Sequence, residues 1–286
     1  MSLILEQDIS KAENKWLNKL YEFIKFSFAQ YRLPSHDETH CLRSWVFAKK
    51  LFYAIDHLNI PIPYSDIENA LIAIFFHDLG MTESLHSEHG QISKQHCEKY
   101  FHKNSKLKPK GLEDILNAIE VHDDKSYTNV QNKSLPSSVF SILPAADDLD
   151  ALGYAGIFRY WEIYTLRKIP ENEVPEKVLA NLEARYSYFS TRFSFLNSFL
   201  SEQQKRYEII KSFYTDVEKA LKNSGSHVHA HDAQIVLEYF DKLVRTDGKG
   251  PDEIFSIVEQ DCKDQKILGF LNNLKKEWLS GVELLL

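Results

Sequence analysis

The chain has 286 residues, 43% hydrophobic and 13% aromatic, with a formal net charge of -7, enough apolar material for a large core and unlike a disordered chain. Its lysines and arginines form no concentrated stripe, which excludes a general duplex nucleic-acid binder, whose phosphates need clustered cations. No apolar run approaches about 18 residues, so no membrane span is expected.

The start, Met1 to Asp8, lacks the charged-then-apolar order of a signal peptide. Cys41, Cys97 and Cys262 lack metal-finger spacing and read as reduced thiols, so a cytoplasmic protein is expected. Glycine and proline are sparse, which favours long helices over a turn-rich β protein.

Taken in order, apolar residues at Trp16, Leu20, Phe23, Ile24, Phe26 and Phe28 predict a helix over Ile9–Tyr31, stopping at Leu33-Pro34. A second helix is expected after a Ser35 cap, running through His40, Leu42, Trp45, Leu51 and Ala54. Pro61-Ile62-Pro63 breaks the chain, and Ser65-Asp66 should cap the helix that ends in His77-Asp78. A polar helix over Glu83–Phe101 and another over Leu112–His122 follow, then a polar loop from Asp123 to Leu135. Helix resumes over Ser137–Leu152 and Ile157–Arg167. Beyond a composition shift at 168–175, helices are expected near 176–199, 201–222, 230–246, 252–262 and 265–284. No alternating strand of useful length occurs. The expected class is all-α, with a catalytic bundle over 1–200 and a helical C-terminal extension over 201–286 packed on it.

Four positions stand out together: His40, His77, Asp78 and Asp147. His77-Asp78 closes the almost unbroken apolar run Ala70–Phe76, and two ionisable groups at the end of a buried segment need something to satisfy them. A divalent metal does so, because imidazole nitrogen and carboxylate oxygen both ligate first-row ions. Each of the other two lies on a different predicted helix, which is how helical bundles build metal sites.

The order His, then His-Asp, then Asp resembles the HD-domain metal-dependent phosphohydrolase superfamily. The segment His36-Asp37-Glu38-Thr39-His40-Cys41-Leu42-Arg43 resembles that family's first-ligand helix, with an arginine three residues after the metal histidine. Phe76-His77-Asp78-Leu79-Gly80 resembles the namesake doublet, and Ala146-Asp147-Asp148-Leu149-Asp150-Ala151-Leu152-Gly153 a closing motif of one subgroup of hydrolases. The resemblance covers about residues 30–200 and implies an HD-domain helical bundle. It implies His40, His77, Asp78 and Asp147 as ligands of a divalent metal ion, with Mn, Ni, Co, Fe, Zn and Mg not distinguished. His36 competes for the first ligand place, but the Arg43 spacing favours His40, and His36-Asp37 reads as helix-start chemistry.

The resemblance also implies hydrolysis of a small phosphorylated substrate, a nucleotide or other phosphoester, by a water that the metal activates. Asp78 would touch the nucleophile. His122 would line the pocket, meet phosphate or ligate a second metal, and His89 would join it there. Glu88 is a candidate proton donor, with Glu83 and Asp150 as alternatives; its competing role is a solvated helix start. Arg43 and Lys125 are candidate phosphate contacts. Arg43 equally fits a buried ion pair with an acidic residue of 147–150, and Lys125 a solvated loop.

His227-Val228-His229-Ala230-His231-Asp232 reads as a surface turn with adventitious metal affinity, and the aromatic stretch Tyr186–Phe199 as core packing rather than a base-stacking platform. Two alternatives remain open: a two-iron HD-domain oxygenase using His89 and His122, and an inactive HD-fold binding module. The C-terminal helices offer apolar residues for a homodimer or for covering the bundle.

Overall fold

The computed structural model describes residues 2–31, 33–124, 134–222, 228–246, 255 and 262–285, with main chain alone over 228–231 and 242–246. The expected all-α class holds: the described residues are helical and contain no strand. The first half comprises α1 (Leu3–Phe28), α2 (Glu38–Asp56), α3 (Tyr64–Phe76), α4 (His89–Lys103), α5 (Leu112–Glu120) and α6 (Val139–Asp150). The second comprises α7 (Gly153–Leu166), α8 (Val174–Arg192), α9 (Asn197–Lys222), α10 (Val228–Thr246) and α11 (Gln265–Trp278). The helix expected near 252–262 lies outside the described residues, apart from Phe255 and Cys262.

Helix α3 is apolar all round because it is covered all round. Helices α1, α2, α5 and α6 pack against it, and every residue from Ile67 to Phe76 is buried. On α1, Trp16, Leu20 and Ile24 face this core with no exposed surface. Helix α7 carries the second packing layer, meeting α9, α10 and α11. The aromatic stretch after 185 packs as expected: Phe193 is fully buried and Tyr186 stacks on Tyr207 with ring centroids 4.4 Å apart. The 200/201 division falls inside α9, which runs through it without a break. No helix among the described residues is long and apolar enough to cross a membrane.

Several helix starts differ from expectation: α1 begins at Leu3 rather than Ile9, α7 at Gly153 rather than Ile157, and three more change their caps or their entry. The cap of α2 is Asp37, whose carboxylate accepts from the Thr39 amide at 2.9 Å; Ser35 instead turns its hydroxyl to His36. Pro63 stands at the cap position of α3, and Asp66 accepts from Ser137 Oγ at 2.7 Å. Helix α4 begins at His89 rather than Glu83, because a 3₁₀ turn over Leu79–Thr82 intervenes. That turn holds α4 close: Gly80 N–H donates to Ser93 Oγ at 2.7 Å, and a Cβ on Gly80 would lie 2.1 Å from the His89 carbonyl oxygen. Only glycine fits there.

Candidate metal centre

Two groups of side chains meet at the inner ends of these helices. His40 from α2, His77 and Asp78 just past α3, and Asp147 from α6 form one; Asp78, His89 from α4 and His122 just past α5 form the other. Asp78 belongs to both. Its Oδ2 lies 3.2 Å from His77 Nε2 and 3.4 Å from His40 Nε2, while its Oδ1 lies 3.4 Å from His122 Nε2 and 3.5 Å from His89 Nε2. Asp147 Oδ1 closes the first group, 3.5 Å from His40 Nε2 and 3.9 Å from His77 Nε2. All six residues are buried.

One local device aims three of the histidines. His77 Nδ1 lies 2.7 Å from the Ile74 carbonyl, His89 Nδ1 2.7 Å from the His86 carbonyl, and His122 Nδ1 2.7 Å from the Ile119 carbonyl. Each is the carbonyl three residues earlier, at a helix end or tight turn, and those of His86 and Ile119 also accept the histidine's own backbone N–H. A carbonyl only accepts, so Nδ1 carries the proton and a neutral ring presents a bare Nε2 to the cluster. His40 achieves the same with a side chain: its Nδ1 faces Asp150 Oδ2 at 2.8 Å.

The consequence is electrostatic. His40 and His77 bring their Nε2 atoms within 3.1 Å, and His89 and His122 theirs within 3.2 Å, among carboxylate oxygens. Facing lone pairs repel unless a cation stands between them. Burial alone would lower the His77 pKa, yet the carboxylates of Asp78 and Asp147 override it and hold the ring up to about 10. Burial likewise opposes ionisation of Asp78, and the histidines around it hold it well below the usual carboxylate range. A proton satisfies one nitrogen; a divalent ion in each group satisfies all of them. The donor set, mixed imidazole and carboxylate with the far nitrogens tied down, fits such ions.

Behind the ligands stands a charge network. Asp147 and Asp150 share a face of α6, three residues apart. Arg159, on α7, donates to Asp150 Oδ2 at 2.9 Å and Asp147 Oδ1 at 3.1 Å. Arg185, on α8, donates to Asp147 Oδ2 at 3.3 Å and to Asp148, and lies 3.6 Å from Asp123. The carboxylates of Asp78, Asp123, Asp147, Asp148 and Asp150 outnumber the guanidiniums of Arg43, Arg159 and Arg185 by two, an imbalance that one divalent cation offsets.

The sequence-predicted residues fall as follows. His40, His77, Asp78 and Asp147 come together, and His89 and His122 join through Asp78. His36 lies outside both groups, its Nδ1 2.7 Å from Ser35 Oγ and its ring 5.8 Å from that of His40. Arg43 adopts the ion-pair role: its Nε donates to Asp150 Oδ1 at 2.9 Å and its Nη2 to Oδ2 at 3.1 Å. Glu88 is exposed and accepts from Ser84 Oγ at 2.7 Å, while Glu83 holds His96 at 2.8 Å. Lys125 lies outside the described residues. So does His227; of the stretch after it, only the Asp232 side chain is described, 3.2 Å from Lys266 Nζ.

Arg159 and Arg185 were missed by sequence reasoning. The signal for Arg159 was present, as an arginine inside Ile157-Phe158-Arg159-Tyr160-Trp161 must find buried anions. A buried His/Asp group of this kind in an all-helical fold is compatible with the HD-type metal site that the sequence resembles, and with a metal-dependent enzyme. No family model, no curated protein and no solved structure matches this chain.

Proposed function

We propose that the protein is a metal-dependent hydrolase of a small phosphorylated substrate, a nucleotide or other phosphoester. The observation that carries this reading is the convergence of four Nε2 atoms on Asp78 and Asp147, with every Nδ1 already engaged. Divalent ions bound there supply a Lewis acid and lower the pKa of a coordinated water.

The chain's own residues do the rest. Asp78 gives one oxygen to each group and so fixes the two groups relative to each other. Arg159 and Arg185 grip both oxygens of Asp147 and hold it in place. The Arg185 side chain is 14% exposed and its neighbour Asp123 32%, so the cluster meets solvent on this side. Neither Arg43, whose fork is taken by Asp150, nor Arg185, held by Asn181, Asp147 and Asp148, presents a free guanidinium to substrate phosphate. In this reading residues 1–200 form the catalytic bundle and 201–286 an extension packed on it.

The test is a panel of nucleotides and simple phosphoesters offered to the metal-loaded full chain, beside a chelated sample and His77→Ala. Hydrolysis by the loaded protein alone, read as released phosphate or as the monoester left from a diester, supports the proposal; none from any substrate with ions bound overturns it. A second reading, a two-iron oxygenase, rests on His89 and His122 lying against Asp78 Oδ1. Oxygen consumption by the iron-loaded chain, with no phosphate released from phosphoesters, would favour it.

A further inference from the structure

The C-terminal helix reaches the back of the metal centre. Trp278, the last residue of α11, is 2% exposed and lies under Arg43, with the guanidinium carbon 4.1 Å from the ring centroid. Phe158 closes the other side, its ring edge-on to Trp278 at 5.4 Å. Arg43 itself is 1% exposed and forks onto both oxygens of Asp150, whose Oδ2 in turn holds His40 Nδ1 at 2.8 Å. The contacts run without a gap from α11 to Nδ1 of His40, the ring that presents Nε2 to the cluster.

The neighbouring residue grips the same turn. Glu277 Oε2 accepts from the Ala155 amide at 3.0 Å, capping the start of α7, and lies 3.6 Å from Arg206 Nη2. Arg206 donates to the Leu149 and Leu152 carbonyls at 2.8 Å each, on either side of Asp150.

We propose that Trp278 is a positioning residue of the metal centre, holding Arg43 so that Asp150 keeps the His40 ring aimed at the ion; this rests on the metal reading above. An indole face attracts a guanidinium and keeps water from it. Without that face Arg43 is held less firmly on Asp150, and the His40 ring, which Asp150 orients with Arg159 as its other partner, is aimed less well. Partners that orient metal-bound histidines typically contribute about 10- to 100-fold in metal affinity. Trp278 acts two residues further back, behind Arg43 and Asp150, so a loss at the lower end, about tenfold, is expected, confined to the ion held by His40, His77 and Asp147.

The experiment titrates Co²⁺ into the metal-free full chain by calorimetry, comparing wild type, Trp278→Leu, Trp278→Phe and Leu274→Ala. Leu keeps most of the volume but no aromatic face, Phe keeps a face, and Leu274→Ala loosens α11 at another fully buried position. Trp278→Leu should lose about tenfold in one binding step and leave the other alone, while Trp278→Phe and Leu274→Ala stay within about twofold of wild type. Equal losses in Trp278→Leu and Leu274→Ala, or no loss in Trp278→Leu, would overturn the positioning role. A wild type that takes up no Co²⁺ sinks the metal reading, and NMR of metal-free, ¹⁵N-histidine-labelled protein then decides about Trp278. The His40 Nδ1–H signal should persist in Trp278→Phe and broaden in Trp278→Leu; persistence in both overturns the proposal.

Discussion

Asp150→Asn removes one charge and keeps the shape. Asp150 is 1% exposed and accepts from Arg43 at 2.9 Å, from Arg159 at 2.9 Å and from His40 at 2.8 Å. An asparagine oxygen can accept from at most two of these donors, and its amide nitrogen, itself a donor, cannot accept from the rest. Breaking a buried ion pair by removing one partner typically costs about 3–5 kcal/mol, because a charge is left without compensation. Arg159 keeps Asp147 as a partner, so the lower end, about 3 kcal/mol, is expected in urea unfolding of the metal-free chain.

The effect depends on pH with a definite sign. Burial alone would raise the Asp150 pKa, but Arg43, Arg159 and His40 hold it well below the usual carboxylate range. A carboxylate depressed in the fold contributes stability above its unfolded pKa, about 4, and loses it as pH falls towards the folded value. The gap between wild type and Asp150→Asn should therefore be full near neutrality and narrow below about pH 4. Metal affinity should also fall about 10- to 100-fold. A variant within about 1 kcal/mol of wild type at neutral pH, binding metal as tightly, would show that Asp150 is not the keystone of this network.

Other expectations follow from single residues. Gly80→Ala puts a Cβ 2.1 Å from the His89 carbonyl, so the start of α4 must move, and elemental analysis should find the Asp78–His89–His122 ion lost and the other kept. His122→Ala removes one of three ligands and should leave one ion per chain where the wild type holds two. Glu162 is fully buried, and burial pushes its carboxyl up to about 8, with Ser35 N–H as its donor. A carboxyl raised in the fold stays protonated while the unfolded chain ionises, so wild-type stability should fall by about 1.4 kcal/mol per pH unit between about pH 5 and 8 from this group. Glu162→Gln should lack that slope in denaturant titrations across the range; an unchanged slope would contradict it.

Much of the site was legible because its ligands interrupt apolar periodicity. His77-Asp78 after a buried run, and His40 and Asp147 on amphipathic helices, are groups a core rejects unless something satisfies them. The C-terminal packing was legible only as apolar residues available for contact. That Trp278 lies under Arg43 depends on a chain separation no periodicity encodes. Spacing put Arg43 one turn from His40, but not whether a substrate or Asp150 would face it; the fold places the carboxylate there. The late start of α4 was hidden because Glu83–Phe101 is polar and helix-compatible throughout, and the deciding contact is Gly80 against His89, across the turn. Arg185 sits at the head of an aromatic stretch whose pattern reads as packing, and its anions come from α6.

Metal held by His40, His77, Asp78 and Asp147, with His89 and His122, is the premise of the proposed phosphoester hydrolysis. Elemental analysis of purified, tag-free full chain, paired with phosphate release on the same sample, tests it most directly. Two divalent ions per chain are expected, with hydrolysis that chelation abolishes, and His77→Ala should lose that activity together with the ion held by His40 and Asp147. A wild type that stays metal-free after incubation with Mn, Fe, Co, Ni or Zn would contradict it.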